Sequence, residues 1–257
     1  NAVDRTANPI TLGGTAATGF AVSADEFTRL DAPTIVAGSN AHAADINVVG
    51  PLSVPNALTL QNGGGGNIQL GGALTASKVG LISGGNITQT AAAPITAGTL
   101  LARSTGGSVL LDTAPNNVSA ATVGGGAAGA FRYVDVDTVQ LGSVAVTGFD
   151  AAGNAPQVES ATSMAADTVF VRTLTGDLLL GIDGRPIGLL ANGIAFIVYY
   201  VVDKPTPFFS IVLIFTEALP WAIVILQSKH KGAATSASSK SSNSRSAHSA
   251  TVSHSSS

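Results

Sequence analysis

The stretch from Gly84 to Gln140 reads GGNITQTAAAPITAGTLLARSTGGSVLLDTAPNNVSAATVGGGAAGAFRYVDVDTVQ, and its glycines recur at nearly even intervals. Four related units, GNIQL, GNITQT, GSVLLD and GAFRYVD, begin at Gly66, Gly85, Gly107 and Gly129, with spacings of 19, 22 and 22 residues. Each unit has an apolar residue two positions after its glycine, and a second one two positions later, except where Gln89 stands. A period near 20 predicts one structural unit per repeat, stacked on its neighbours in a solenoid.

Charge is nearly absent from the repeats. Charged residues make up 11% of the sequence, against about 25% in ordinary soluble domains. Between positions 33 and 131 they are Asp45, Lys78, Arg103 and Asp112. Surface helices need a strongly polar face, which this region cannot supply. The net charge of −3 gives no indication of nucleic-acid binding, and the lack of cysteine excludes disulfides and thiolate zinc sites.

Alternating apolar and polar residues predict half-buried strands, for example where Val134 and Val136 alternate with Asp135 and Asp137. Turn-forming runs lie at 63–66 (GGGG), 114–117 (APNN) and 124–129 (GGGAAG). Short strands between regular turns predict an all-β solenoid over residues 1–185, with roughly seven coils between positions 26 and 184. Like residues would stack from coil to coil. Candidates for such side-chain ladders are Asn117 and the Gly-Asn pairs at 66–67 and 85–86.

The sequence changes character after residue 185. Residues 186–228 are mostly apolar, and we consider a helical membrane hairpin through 187–227, an artefactual or frameshifted end, or a hydrophobic cap on the solenoid. Glu217 and Pro220 oppose insertion into a bilayer. Residues 229–257 are rich in serine and predict a disordered tail. Because the first residue is Asn1 and no signal peptide is visible, we expect a fragment of a longer shaft.

Three stretches resemble bacterial filamentous-haemagglutinin-type exoproteins, the passengers of two-partner secretion, and related autotransporter adhesins. They are SADEFTRLDAPTIVAG (23–38), INVVGPLSVPNALTLQNGGGGNIQL (46–70) and GGNITQTAAAPITAGTLLARSTGGSVLLDTAPNNVSAATV (84–123), of which 93–118 is the most specific. The resemblance covers roughly residues 23–184. It implies a right-handed parallel β-helix, export through an outer-membrane transporter, and a shaft-like role at the cell surface. The family's N-terminal secretion domain is not recognisable, since ANPIT at 7–11 only faintly matches its Asn-Pro signature.

Two patterns could carry chemistry. GGGAAG at 124–129, with Asp150 some twenty residues further on, fits a dinucleotide-binding pattern, but a strand-like segment follows where that site needs a helix, so we expect a turn. Asp135 and Asp137 would share one strand face, where paired carboxylates could bind calcium or act as acid and base. Arg132 is out of phase with them, and we expect a solvated face.

Other reactive groups are scarce. Three of the four histidines, His230, His248 and His254, lie in the tail region, so His42 alone cannot provide a convincing base for a nucleophilic triad. The glycine-rich runs lack the aspartate of the calcium-binding nonapeptide repeat. Two N-x-[ST] sequences, at 86–88 and 117–119, are interpreted as coil and turn positions.

These observations favour a fragment of a secreted or cell-surface β-helical adhesin, without catalysis, cofactor or metal and with no assigned site residues. Its expected partners are glycans or proteins of a host or neighbouring cell. A β-helical carbohydrate-active enzyme, which would need acidic and basic groups converging in a cleft, is the first alternative. A surface protein anchored in a membrane through 187–227 is the second.

Overall fold

The computed structural model describes residues 7–15, 19–118, 122–153, 155–162 and 164–180, and the backbone of 189–190, 195–197 and 212–214. The chain divides into two units, Asn1–Val224 and Ile225–Ser257, of which the second lies wholly outside the described residues. In chain order the elements are β1 (Ile10–Leu12), β2 (Phe20–Val22), α1 (Ala24–Phe27), β3 (Thr34–Ser39), β4 (Ile46–Val48), β5 (Leu52–Ser53), β6 (Ala57–Asn62), β7 (Ile68–Leu70), β8 (Leu74–Ser83), β9 (Ile87–Gln89), β10 (Ile95–Ser104), β11 (Val109–Val118), β12 (Thr122–Ala127), β13 (Ala130–Asp135), β14 (Val139–Leu141), β15 (Val144–Phe149), β16 (Pro156–Ala161), β17 (Met164–Ala165), β18 (Thr168–Thr173), β19 (Leu178–Leu180), β20 (Leu189–Leu190), β21 (Ala195–Ile197) and β22 (Val212–Ile214).

Two sets of parallel strands wind into a β-solenoid, which confirms the predicted fold class. The first sheet runs in the order β2, β1, β4, β7, β9, β11, β13 and β18. The second sheet contains the stacked strands β3, β6, β8, β10, β12, β17 and β20, with β5, β14 and β19 beside them. Strands in the middle of the stack, such as β8 and β11, therefore pair with the coil before them and the coil after them.

The repeat register predicted from the sequence is the register of the first sheet. One inward column contains Ile46, Ile68, Ile87, Val109, Phe131 and Val169. The neighbouring column places Leu70 opposite Gln89, so the glutamine keeps the register rather than breaking it. These columns belong to one continuous buried apolar core that extends along the stacked coils.

The solenoid has about five turns, so the expectation of seven coils is wrong. The step from Phe131 to Val169 spans 38 positions, compared with 22 from Val109 to Phe131. The extra length is an antiparallel hairpin made of β15 and β16, which we call the hairpin (residues 144–161). The chain leaves the solenoid after β14 and returns to it at β17. The residues of the hairpin therefore do not form a further coil.

Of the three predicted turns, one is confirmed, one is wrong and one is shorter than predicted. The turn at 63–66 is confirmed, and Gly65 there has a φ of 125°. Residues 114–117, however, continue strand β11, with a register shift between Leu111 and Asn116. Residues 124–127 lie in strand β12, and the chain turns only at 128–129. The strand β13 follows, so the helix that a dinucleotide site needs is absent there.

The apolar segment 186–228 falls largely outside the described residues. Within it the structure describes β20, which continues the second sheet, and the antiparallel pair β21 and β22. No helix in the described ranges has the length and hydropathy needed to cross a bilayer. The predicted membrane hairpin and the serine-rich tail at 229–257 stay predictions.

Candidate functional site

The most distinctive surface feature is the outer face of the second sheet, where the hairpin lies across successive coils. Strand β15 packs against β12, β10, β8, β6 and β3. Two outward columns meet it: one with Thr59, Gly80, Leu101 and Gly124, the other with Gln61, Ile82, Arg103 and Gly126. We call these two columns the outer lane.

Glycine in the outer lane makes room for the hairpin. A Cβ added to Gly80 would lie 2.8 Å from Cγ2 of Val146, and one added to Gly124 would lie 3.2 Å from Cγ2 of Val144. Both valines are buried against Ile82 and Leu101, in an apolar cluster separate from the solenoid core. The lane and the hairpin therefore fit together as a small second core.

Polar contacts fix the hairpin beside this apolar cluster. Glu159 is only 5% exposed and accepts hydrogen bonds from Asn40 (2.9 Å), Gln61 (3.2 Å), Gln157 and Arg103. Gln61 also binds the backbone of Phe149, donating to its carbonyl oxygen (3.0 Å) and accepting from its N–H (2.7 Å). Groups from β3–β4, β6 and β10 thus converge on one carboxylate of β16.

This environment sets the protonation of Glu159. Burial raises the pKa of Glu159, but the guanidinium of Arg103 and the surrounding amides outweigh that effect and hold the pKa below its ordinary value. The carboxylate is therefore ionised at neutral pH and its oxygens are occupied by donors. Such a group holds structure together, and is poorly suited to donate a proton as a general acid.

A shallow groove of about 380 Å³ lies next to this contact. It is lined by residues 125–128 and, among others, by Arg103, Thr105, Ser160 and Thr162. Arg103 is the charged residue of the lining, and it is paired with Glu159. The groove therefore does not present the converging acidic and basic groups that a carbohydrate-active enzyme would need.

The four charged residues of the central coils all make structural contacts. Lys78 donates to the carbonyl oxygen of Ala145 on the hairpin (3.1 Å), and Arg103 pairs with Glu159. On the outer face of the first sheet, Asp112 pairs with Arg132 of the next coil at 2.7 Å.

Asp45 begins a ladder of side chains that cap the next coil. Its Oδ1 accepts from the N–H of Asn67 (2.8 Å), Asn67 Oδ1 from the N–H of Asn86 (2.8 Å), and Asn86 Oδ1 from the N–H of Ser108 (2.8 Å). The Oγ of Ser108 then accepts from the N–H of Ala130 (3.1 Å). This confirms the predicted ladder at the Gly-Asn pairs, and gives Asn86 of the N-x-[ST] sequence a structural role.

A second ladder runs inside the coils, through Asn116 and not Asn117. Gln89 donates to Asn116 Oδ1 (2.6 Å), which also accepts from the N–H of Ile95 (3.0 Å). The Nδ2 of Asn116 donates to the carbonyl oxygens of Leu111 (2.9 Å) and Val134 (3.0 Å). The ladder predicted at Asn117 is wrong, because β11 stays extended there and turns the side chain of Asn117 away from the interior.

Asp135 continues this internal ladder, so the expected solvated face is wrong. Its side chain is fully buried and accepts from the hydroxyl of Tyr133 (2.5 Å) and the N–H of Val118 (3.1 Å). Strand β13 ends at Asp135, so Asp137 does not share its strand face. The backbone N–H of Asp137 still donates to Asp135 Oδ1 (3.2 Å), and the Asp137 carboxyl lies beside that of Asp135 and helps to raise the pKa of Asp135. Arg132 points outward from the same strand, so these residues do not form a catalytic cluster.

Burial raises the pKa of Asp135, and this effect exceeds the stabilisation that hydrogen bonds from Tyr133 and two backbone amides give to the carboxylate. Burial also raises the pKa of Tyr133, and the charge of Asp135 adds to that shift. Among the described residues no group of three or more histidines and carboxylates is placed to hold a metal ion. His42 is buried in the fold, and the other three histidines lie outside the described residues.

Comparison with known proteins adds no relative. No protein family, curated protein or solved structure matches this chain.

Proposed function

We propose that this chain is a segment of the rod-like shaft of a secreted or cell-surface adhesin, without catalytic activity. The observation that carries the proposal is the in-register stacking of coils around one continuous core, which exposes long, regular and nearly uncharged faces. Export through an outer-membrane transporter and partners among the glycans or proteins of a host or neighbouring cell are part of the proposal.

One exposed face illustrates how such a shaft would bind. Ser53, Thr75 and Thr96 stand in register on successive coils and are all exposed. Neighbouring strands lie about 4.8 Å apart, so these hydroxyl groups form a regular row. Many weak contacts along such a row can act together when the rod is presented in many copies.

Adhesion of coated beads tests the proposal. Beads that carry the chain at increasing density are incubated with epithelial and bacterial cells, and heat-unfolded chain serves as the control. Attachment is expected to rise more steeply than in proportion to density. The double variant Thr75→Lys/Thr96→Lys should weaken attachment, whereas Asp112→Asn on the other sheet should not. Attachment no better than that of the unfolded chain would contradict the proposal.

The two alternatives predict different results in the same preparation. A carbohydrate-active enzyme would release reducing or unsaturated ends from a panel of soluble polysaccharides, whereas a shaft releases none. A membrane-anchored protein would stay in the membrane fraction after carbonate extraction, and deletion of residues 186–257 would abolish that association.

A further inference from the structure

We propose that the hairpin is a strap that joins the coils beneath it into one cooperative unit, so that they open together and not coil by coil. The inference concerns how the rod resists opening and does not depend on adhesion. Solenoids are ordinarily held by contacts between adjacent repeats alone, and their ends can open separately from the rest.

The reach of the hairpin supports this role. Its first strand, β15, begins beside Gly124 of β12, and its far end bonds to groups at the end of β3. The N–H of Asn40 donates to the carbonyl oxygen of Phe149 (3.3 Å). Between these points the hairpin crosses β10, β8 and β6. One segment near the C-terminal end of the described solenoid thus contacts a strand more than 100 positions earlier.

The contacts along this path are specific at every coil. Valines of β15 occupy the space over Gly124 and Gly80, Lys78 holds the carbonyl oxygen of Ala145, and Gln61 binds both backbone groups of Phe149. On the second strand of the hairpin, Glu159 pairs with Arg103 of β10. Opening of any one coil must therefore break contacts that belong to its neighbours, which is the condition for cooperative opening.

The residue types in the outer lane also indicate that another segment covers it in the folded protein. An outward face of a solenoid strand is normally polar, yet this face carries Ile82 and Leu101, exposed to 1% and 0% respectively. Without the hairpin these side chains would face water. The cover is therefore part of the folded state and not an appendage.

Hydrogen–deuterium exchange of the full chain tests the strap. Glu159→Gln removes the charge at the centre of the contact, and the matched control Asp112→Asn breaks an ion pair on the uncovered first sheet. In Glu159→Gln, amide exchange is expected to accelerate by roughly 10- to 100-fold in β3, β6 and β8 together with the hairpin. In Asp112→Asn, acceleration is expected only near β11 and β13.

Two further variants keep the test decisive if Glu159→Gln folds poorly. Val146→Ala weakens the apolar contact between the hairpin and the outer lane and leaves the polar contacts in place. It should accelerate amide exchange in the same strands, by a smaller factor. A disulfide between Ser39→Cys and Gly153→Cys should restore protection, because a Cβ on Gly153 would lie 3.6 Å from that of Ser39, within the range that disulfides require. Gly153 has a φ of 66°, where a side chain costs about 1–2 kcal/mol, so the reference is the same cysteine pair in the chain that keeps Glu159. The chain has no other cysteine.

The outcomes separate clearly. Faster exchange confined to residues 144–161, with β3, β6 and β8 unchanged, would overturn the proposal. So would a Glu159→Gln chain in which the disulfide forms, as shown by mass, but fails to slow exchange in those strands. Protection that returns on oxidation and disappears on reduction would support it. None of these outcomes depends on whether the rod adheres to cells.

Discussion

Two adjacent asparagines provide the sharpest test of how the coils are held together. Asn116 makes four hydrogen bonds inside the solenoid: it accepts from Gln89 and from the N–H of Ile95, and donates to the carbonyl oxygens of Leu111 and Val134. Asn117 lies on the opposite side of β11, next to Thr96 in the strand register, and is partly buried, with an Oδ1 that accepts no hydrogen bond. The two residues are of the same type and adjacent in the sequence, and they differ in the direction of their side chains.

Asn116→Ala removes the four bonds and leaves all four partners buried. At a net value of about 1 kcal/mol for each bond, we expect a loss of about 4 kcal/mol. That is a large share of the roughly 5–15 kcal/mol that stabilises a typical domain. Asn117→Ala removes an outward side chain and should cost less than about 0.5 kcal/mol.

Urea unfolding, followed by far-UV circular dichroism, measures both variants against the parent chain. The expected result is a large fall in the urea midpoint for Asn116→Ala and almost none for Asn117→Ala. Equal losses in the two variants, or a larger loss at position 117, would show that the internal polar ladder does not stabilise the coils and that our assignment of inward and outward faces in β11 is wrong.

Three further predictions concern packing and charge. Gly80→Ala should cost about 1–3 kcal/mol, because its Cβ would lie 2.8 Å from Val146, and urea unfolding should show part of that loss recovered in Gly80→Ala/Val146→Ala. Because the pKa of Asp135 is raised on folding, its contribution to stability is complete below the ordinary carboxyl pKa and is lost as pH rises through the raised value. Asp135→Asn should remove that slope from a pH series of melting temperatures. Asp112→Asn should cost less than about 1 kcal/mol, since its pair with Arg132 is partly exposed, and the difference in melting temperature should shrink in 1 M salt.

The repeats can be recognised in the sequence because parallel stacking requires the same residue types at equivalent positions of every coil. Inward positions such as Ile68, Ile87 and Val109 must be apolar. The glycine that begins a repeat lies close to the preceding coil, as at Gly66, where a Cβ would lie 2.2 Å from the carbonyl oxygen of Ala44. These local demands recur in the sequence with the period of the coil. The register of the first sheet therefore follows directly from the spacing of Gly66, Gly85 and the later glycines.

The hairpin escaped sequence reasoning because its strands alternate as solenoid strands do. Val144 and Val146 have the same pattern as a coil strand, and nothing in residues 144–161 marks them as antiparallel. The available signal lay elsewhere. Gly80 and Gly124 occupy outward strand positions without a turn, and Ile82 and Leu101 are apolar residues at outward positions of solenoid strands. Together these residues indicate a surface that something covers.

The buried polar groups cannot be read from the sequence for a related reason. Period-2 alternation assigns faces by polarity and predicts Asp135 in solvent, and the run APNN predicts a turn at Asn116. Inside a solenoid, a polar side chain can be satisfied by the backbone of the neighbouring coil, and this occurs in each of these cases. The polarity of such a side chain then does not indicate whether it faces the interior or the solvent.

The hairpin also has a consequence for how this region can evolve. Solenoids commonly lengthen or shorten when whole repeats are gained or lost by recombination. Here a segment of fixed span must meet particular partners at both of its ends, from Gly124 to Asn40. Loss of a single repeat between them would move the partners at one end by one step, so the hairpin as it stands fits only the present number of repeats between β3 and β12.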